Sequence, residues 1–163
     1  MAAELTYAGT AISGTGGITS LATSADWTAG YEWFVVDNTT EKAFDWFVAG
    51  KVTVGTTPTI NTQIRLYVVG IYDGSTYPDV LDGTPSAETW TSAGVRDSVA
   101  RLAAVLIVDA TTSDRGYPYA FNLASFFPSM PKKVVVFVSH NTGVALNATA
   151  GNHTYGAQPV EVG

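Results

Sequence analysis

The stretch Gln63-Ile-Arg-Leu-Tyr-Val-Val-Gly-Ile-Tyr72 decides the fold class. Apolar side chains recur at every second position from Ile64 to Val68, while Gln63 and Arg65 occupy positions between them. Successive side chains of a β-strand point to opposite faces, so this period of two predicts a strand. We expect the strand to lie in a sheet with one buried face and one face in water.

A second segment, from Asp45 to Val54, repeats this alternation. It places Trp46 and Val48 on the apolar face, and Asp45 and Lys51 on the polar face. The connection between the two segments is too long for a two-residue hairpin turn. The two strands are therefore not expected to form a tight hairpin.

Shorter runs of β-branched and aromatic residues, separated by glycine and proline, predict the remaining strands. These runs are Ile18–Thr23, Tyr31–Val36, Tyr117–Leu123, Val134–Ser139 and Thr154–Val162. Between them, 83–94 is interpreted as a loop that can hold a helical turn, and 124–130 as a short helical turn.

The apolar run from Val99 to Val108 fits two structures. Val95 and Val99 follow helical spacing, and Asp97 lies four residues before Arg101, as in a helical ion pair. The end of the run is short and β-branched, which is typical of a buried strand. We favour a strand that begins at about Arg101.

The predicted strands indicate an all-β protein: a single-domain antiparallel β-sandwich over residues 1–163, jelly-roll-like, because an open sheet would leave its edges unpaired. Residues 1–7 form a possible N-terminal arm whose sizeable apolar anchors beyond Met1 are Leu5 and Tyr7. Ordering each residue costs about 1–2 kcal/mol. Either the sandwich's own edge or a neighbouring subunit must offset that cost, and we favour the neighbour.

The composition excludes several classes of function. Eight basic and 14 acidic residues give a net charge of −6, and charged residues make up only 13% of the 163 residues. Lys132 and Lys133 are the only adjacent basic pair, so a nucleic-acid partner and an anionic membrane are disfavoured. The chain has no cysteine, which excludes disulfides, thiol catalysis and cysteine-based metal sites.

The two histidines, His140 and His153, match no catalytic or metal motif. Ser139 precedes His140, but neighbours on a strand point to opposite faces and do not form a nucleophile–base pair. Two distant histidines also lack the spacing of a zinc site. We interpret both as ordinary strand-end residues.

The acidic residues suggest two further sites, and both have a simpler explanation. The segment from Asp73 to Gly83 is rich in aspartate and could bind calcium, but its order does not match an EF-hand loop. Paired carboxylates could hydrolyse a glycoside, but nothing in the sequence pairs the available acids. Those acids are Glu32, Glu41, Asp45 and Glu88. We predict no catalytic residue, no cofactor and no metal site.

The four tryptophans could form a sugar-stacking platform, as in carbohydrate-binding modules. Trp46 lies in phase with apolar neighbours, and we expect Trp33 and Trp46 to lie in the core. Trp27 and Trp90 remain open to a surface role.

Several segments resemble small structural proteins of tailed bacteriophages. They are Trp27-Thr-Ala-Gly-Tyr-Glu32, Asp37-Asn38-Thr39, Val54-Gly-Thr-Thr-Pro-Thr59, Tyr77-Pro-Asp79, Phe121-Asn-Leu123, Phe126-Phe127, Pro131-Lys-Lys-Val134, Asn141-Thr-Gly-Val-Ala-Leu-Asn147 and Asn152-His-Thr-Tyr-Gly156. The chain departs from the expected form at Phe127-Pro-Ser-Met-Pro131, which replaces a Gly-Gly-x-Leu-Pro stretch.

The resemblance implies a non-enzymatic virion protein on the capsid exterior, with a jelly-roll or related β-sandwich fold, that decorates or cements the shell. Its partners would be the major capsid protein and copies of itself, as a homo-oligomer. The expected assembly contacts are Leu5, Tyr7, Trp27 and Trp90. The alternative is a carbohydrate-binding, tail or fibre module with the same sandwich.

Overall fold

A computed structural model describes residues 5–7 and 9–162. This part of the chain forms ten strands in two antiparallel sheets that pack together, which confirms the predicted all-β sandwich. The strands are β1 (Leu5–Tyr7), β2 (Ile12–Thr15), β3 (Ala29–Asp37), β4 (Asp45–Thr53), β5 (Gln63–Ile71), β6 (Ser86–Thr89), β7 (Ala100–Ile107), β8 (Gly116–Asn122), β9 (Lys133–His140) and β10 (Thr154–Val162). Helix α1 spans Ala93–Val99, and 3-10 turns span Leu123–Phe126 and Ala150–Asn152. None of these described helices is long and apolar enough to cross a membrane.

The early strands pair with the late strands in reverse order. In the first sheet, β10 pairs with β4, and β8 continues beyond β4, while β1 and β2 both pair with the other side of β10. The second sheet has the order β6-β3-β9-β5-β7. Thus β2 pairs with β10, β3 with β9, β4 with β8 and β5 with β7. Strands β4 and β5 lie in different sheets, which explains the long connection between them.

The facing sides of the two sheets enclose the main core. Ile64, Leu66 and Val68 of β5 are fully buried there, as the alternation predicted. Trp33 and Trp46 are buried as expected, and both indoles donate hydrogen bonds. Nε1 of Trp33 lies 2.7 Å from the Gly16 carbonyl oxygen, and Nε1 of Trp46 lies 2.9 Å from Oδ1 of Asn38.

A second apolar cluster covers the outer face of the second sheet. The cover segment, residues 72–99, joins β5 to β7 and packs Leu81 and Trp90 against Val69, Ile71 and Phe137. Every residue of β9 after the first is buried, because both faces of that strand are covered. The expectation of one wet face therefore fails for the second half of β5, whose outward side chains are themselves apolar.

The predicted strand Ile18–Thr23 is wrong. These residues form turns and irregular chain, and β2 lies upstream of them. Gly16 and Gly17 adopt φ values of +80° and +75°, which end the extended conformation. Ile18 is fully buried, so its side chain fills the core although its backbone leaves the sheet.

The region from residue 83 to residue 108 is more ordered than expected. The predicted loop at 83–94 contains β6, which pairs with β3. The Oγ of Ser92 caps α1 by accepting a hydrogen bond from the Val95 N–H at 3.2 Å. The helical spacing of Val95 and Val99 belongs to this helix, and the favoured strand begins at Ala100, close to the predicted start.

The N-terminal segment lies against its own domain. Leu5 pairs with Val162 and Tyr7 pairs with Val160, so this stretch forms a short edge strand on β10. The expectation that a neighbouring subunit holds it is corrected for residues 5–7, because the free edge of β10 supplies backbone partners. Residues 1–4 lie outside the described residues.

Candidate functional site

The ring of each histidine forms hydrogen bonds with loop residues. Nε2 of His140 lies 2.9 Å from the Leu21 carbonyl oxygen, and its Nδ1 lies 3.0 Å from Oγ1 of Thr142. His153 accepts a hydrogen bond at Nδ1 from the Thr53 N–H and donates from Nε2 to the Asn147 carbonyl oxygen at 2.8 Å. Both rings are fully buried, and burial lowers the pKa of each. They are neutral structural groups.

Ser139 and His140 have separate partners, as their positions on a strand predict. Oγ of Ser139 donates to the Ala29 carbonyl oxygen at 2.7 Å, whereas the His140 ring contacts the loops around Leu21 and Thr142. The serine is thus engaged by backbone rather than by the imidazole. This pair of neighbours does not form a nucleophile and its base.

The acidic loop uses its carboxylates to hold its own backbone. Oδ1 of Asp73 accepts from the N–H groups of Ser75 and Thr76 at 2.9 and 2.8 Å. The hydroxyl of Thr76 lowers the pKa of Asp73 most, and these two N–H groups lower it further. Asp79 likewise accepts from the N–H and hydroxyl of Thr91. Within residues 5–7 and 9–162, no three acidic or histidine side chains are grouped to hold a metal ion.

Two of the four acids weighed as a catalytic pair, Asp45 and Glu32, lie in different sheets, whereas Glu88 lies close enough to Glu32 to raise its pKa. Asp45 lies in the first sheet, where its carboxylate accepts from the N–H groups of Trp46 and Ala124 and from the Asn122 amide. Glu32 lies in the second sheet, fully buried beneath the cover segment. Its Oε2 accepts from the Asp82 N–H at 3.2 Å, and burial raises its pKa. The two carboxylates therefore have different environments and no shared site.

The expected assembly contacts occupy quite different environments. Trp90 is only 2% exposed and packs edge-on against Phe137, with ring centroids 5.5 Å apart. This corrects its assignment as a surface contact, because the cover segment encloses the ring. Tyr7 is 71% exposed on β1, and the Leu5 side chain lies outside the described part of the structure.

Trp27 is half-buried and lies against a cation. The Arg65 guanidinium carbon is 3.9 Å from the centre of the Trp27 ring, which is a cation–π contact. The backbone of Trp27 has φ of +65°, an unfavourable conformation for a large residue. Asp26 stabilises this turn by accepting from the N–H and hydroxyl of Thr28, and Nη1 of Arg96 donates to the Asp26 carbonyl oxygen at 3.1 Å.

Large apolar side chains lie beside Trp27 and Arg65 along the edge of the second sheet. Leu102, Val105 and Ile107 of β7 are 45%, 39% and 48% exposed. Val105 is the register partner of Arg65, so it lies beside the Trp27–Arg65 pair in the sheet. We call Trp27, Arg65, Leu102, Val105 and Ile107 the β7 edge surface.

The path of the cover segment explains why this surface is open. That segment packs on Val69 and Ile71 in the second half of β5 and ends where α1 passes into β7. Arg65 lies in the first half of β5. The apolar side chains of the cover segment pack on the second half of that strand and do not cover Arg65. Leu102, Val105 and Ile107, which lie beyond the cover segment on β7, thus remain partly exposed to water.

Two polar clefts lie among the loops. One, of about 530 Å³, is lined by polar residues that include Ser20, Thr56, Asp114 and Asn147, and by apolar residues that include Val144 and Ala145. The other, of about 470 Å³, is lined by Lys42, Lys132, Lys133, Asp37 and Asp73. Nζ of Lys133 lies 3.6 Å from the Asp37 carboxylate, so part of that positive charge is already paired.

Comparison of the chain with protein-family models, with curated proteins and with solved structures finds no match. The candidate site therefore rests on the chain's own geometry.

Sequence reasoning identified Trp27 but missed the aliphatic side chains beside it. Leu102, Val105 and Ile107 belong to an apolar run that was interpreted as a buried strand. A buried strand and an edge strand with an apolar outer face have the same composition. Only the sheet order, which places β7 last, distinguishes them.

Proposed function

We propose that this chain is a non-enzymatic structural protein of a phage virion, which decorates or cements the outer surface of the capsid by protein–protein contacts. Its partners are the major capsid protein and copies of itself. The resemblance to tailed-phage structural proteins gives the proposal its biological setting. The β7 edge surface is the observation that carries it physically.

The jelly-roll assignment is part of this proposal. Pairing of β2, β3, β4 and β5 with β10, β9, β8 and β7 is the pattern of one long antiparallel hairpin rolled into two sheets. Double-sheet jelly rolls occur in viral capsid domains and in lectin domains. The strand order therefore supports a virion role and leaves carbohydrate binding as the alternative.

The β7 edge surface has the composition of a protein-binding site. Tryptophan and arginine dominate the binding energy of many interfaces, and here Trp27 and Arg65 are in contact. Three partly exposed aliphatic side chains of β7 adjoin this pair, since Val105 is the register partner of Arg65. Exposed apolar patches of this kind favour contact with another protein over contact with water.

One observation favours the alternative, a carbohydrate-binding, tail or fibre module. The 530 Å³ cleft gathers Ser20, Asp114 and Asn147, whose oxygen and nitrogen atoms suit the hydroxyls of a sugar. Nδ2 of Asn147 already donates to Oδ1 of Asp114 at 2.5 Å, which satisfies part of this polar set. None of the described residues that line the cleft is a tryptophan that could stack against a sugar ring. Decoration is thus the better-supported function.

The test is to count copies of the chain in purified virions by quantitative mass spectrometry. Hundreds of copies per particle, with co-sedimentation of the purified chain on capsids that lack it, are expected for decoration. A handful of copies would contradict decoration and support a tail or fibre location. Saturable glycan-array binding that is lost in Asp114→Ala, without capsid binding, would establish the carbohydrate alternative instead.

A further inference from the structure

The four edges of the two sheets are protected to different degrees. On the first sheet, β1 and β2 divide one edge into two short strands, and β8 carries Pro118 on the other. On the second sheet, β6 has only four residues and includes Glu88. Short strands, prolines and charges are the usual means of preventing edge-to-edge pairing. The fourth edge, β7, has eight residues.

The protective features of β7 lie in its first half. Arg101 supplies a charge there, and the register with β5 shifts between Leu66 and Tyr67, which leaves Ala103 as a bulge. From Ala104 to Ile107 the strand pairs regularly with β5, and no described strand is hydrogen-bonded to its other side, although β8 of the first sheet lies close to β7. This half of β7 can accept another strand.

The sequence of β7 is complementary to itself in the antiparallel direction. A two-fold axis through Val105 sets Ala104 opposite Leu106, a small side chain against a large one. Antiparallel pairing also places Arg101, near the start of β7 in one copy, toward Asp109 of the other copy, which lies two residues past the end of β7. Asp109 is exposed and is already oriented by the Arg115 guanidinium at 2.9 Å and the Tyr117 hydroxyl at 3.0 Å. Opposite charges at the two ends favour this orientation over a parallel one.

We propose that β7 pairs with β7 of a second copy, antiparallel about Val105, to form a symmetric dimer whose second sheets are continuous. The inference deepens the proposed function and rests on its expectation that the chain assembles with copies of itself. A two-fold axis normal to the sheet keeps the Trp27–Arg65 pairs of both copies on the same outer face. The β7 edge surfaces of the two chains then meet at the axis and exclude water from each other.

A single cysteine tests both the pairing and its register, because the chain contains no cysteine of its own. Directly opposite residues of an antiparallel pair have Cα atoms about 4.5 or 5.5 Å apart. Both separations lie within the range of about 4.4–6.8 Å that a disulfide spans. Purified Val105→Cys is expected to oxidise rapidly to a covalent dimer of twice 17.1 kDa. Ala120→Cys, on the edge strand β8, is the matched control and should remain largely without a covalent cross-link.

The mass of the unmodified chain in solution gives an independent readout. Sedimentation velocity of the parent should show a dimer, and Val105→Lys, which places two like charges at the axis, should show a monomer. Ala120→Lys should remain dimeric, and thermal melts should confirm that both lysine variants fold. A monomeric parent, or cross-linking of Val105→Cys no faster than that of Ala120→Cys, would overturn the dimer. That result leaves the copy number in virions, and so the proposed function, to be decided separately.

Discussion

The main core and the second apolar cluster, which lies beneath the cover segment and is called the cover cluster, bury similar side chains but differ in how their polar groups are paired. In the main core, the indole N–H groups of Trp33 and Trp46 both donate to oxygen atoms. Beneath the cover segment, Nε1 of Trp90 and Oε1 of Glu32 are buried without a hydrogen-bond partner among the described residues. Unpaired buried polar groups cost free energy, so the cover cluster should be the less stable of the two regions.

The largest expected effect lies in the main core. Trp46→Ala removes a fully buried indole and its hydrogen bond to Asn38, and should lower the free energy of unfolding by about 3–5 kcal/mol. Denaturant melts followed by far-UV circular dichroism measure this loss. Phe44→Ala is the control, because Phe44 is 63% exposed and its truncation should change stability by less than about 0.5 kcal/mol. A loss below about 1 kcal/mol for Trp46→Ala would contradict its place in the core.

The tryptophan of the cover cluster should cost less to remove. Trp90→Ala should lower the free energy of unfolding by about 3 kcal/mol, because the lost contacts with Phe137 are offset in part by loss of an unpaired N–H. Trp90→Phe keeps an aromatic ring and removes the N–H. We therefore expect Trp90→Phe to lie within about 1 kcal/mol of the parent in the same melts. A loss for Trp90→Phe as large as that for Trp90→Ala would show that the indole N–H has a partner.

The main sandwich was predictable because its strands have one apolar and one polar face. The alternation in 63–72 and 45–54 fixed which side chains enter the core. The cover cluster was not predictable in this way, because β9 is apolar on both faces and its sequence therefore lacks the alternation of apolar and polar residues. The sequence of β9 indicates burial, but it does not say that residues 72–99 provide the second covering layer.

The candidate site was less predictable than the fold. Trp27 was identified as a surface aromatic, but its partner Arg65 was identified only as the polar face of β5. Trp27 and Arg65 are 38 positions apart in the chain, and their contact depends on the conformation of the turn at Asp26. Trp90 was assigned to the surface because it lies in a stretch without periodicity. Such a stretch does not indicate what its side chains pack against.

Acid should weaken the main sandwich through its buried histidines. Burial lowers the pKa of His140 and His153, so the folded chain binds fewer protons than the unfolded chain, whose histidines titrate near pH 6.5. Stability is therefore present above pH 6.5 and is lost as the pH falls. Between pH 7.5 and 5.5 the parent should become less stable, by at most about 1.4 kcal/mol for each ring.

Single variants measure how much of this loss of stability each histidine causes. His140→Gln and His153→Gln keep a polar side chain, and each should show a smaller decrease in stability between pH 7.5 and 5.5 than the parent does. The window lies above the usual range of carboxyl groups, and Glu32, whose raised pKa acts with the opposite sign, is common to the parent and to both variants. Parallel pH profiles for the parent and both variants would contradict the assignment to these histidines.

The smallest effect is expected from Glu32, and its pH dependence has the opposite sign. Burial raises the pKa of this carboxyl, and the nearby Asp82 and Glu88 carboxylates raise it further. The folded state therefore binds a proton more tightly than the unfolded state does. Its stabilising contribution is complete below the unfolded pKa and is lost as the pH rises through the folded pKa.

Glu32→Gln cannot ionise, yet its amide oxygen can still accept from the Asp82 N–H. At pH 8 the variant should be about 1 kcal/mol more stable than the parent, and this gain should vanish at pH 4. Hydrogen exchange of the amides in residues 72–99 reports the change locally, and Glu41→Gln, which removes the same charge before β4, should leave that exchange unchanged. Equal protection of the cover segment at pH 8 in the parent and in Glu32→Gln would mean that the buried carboxylate has found a partner, and the contrast between the two apolar clusters would fail.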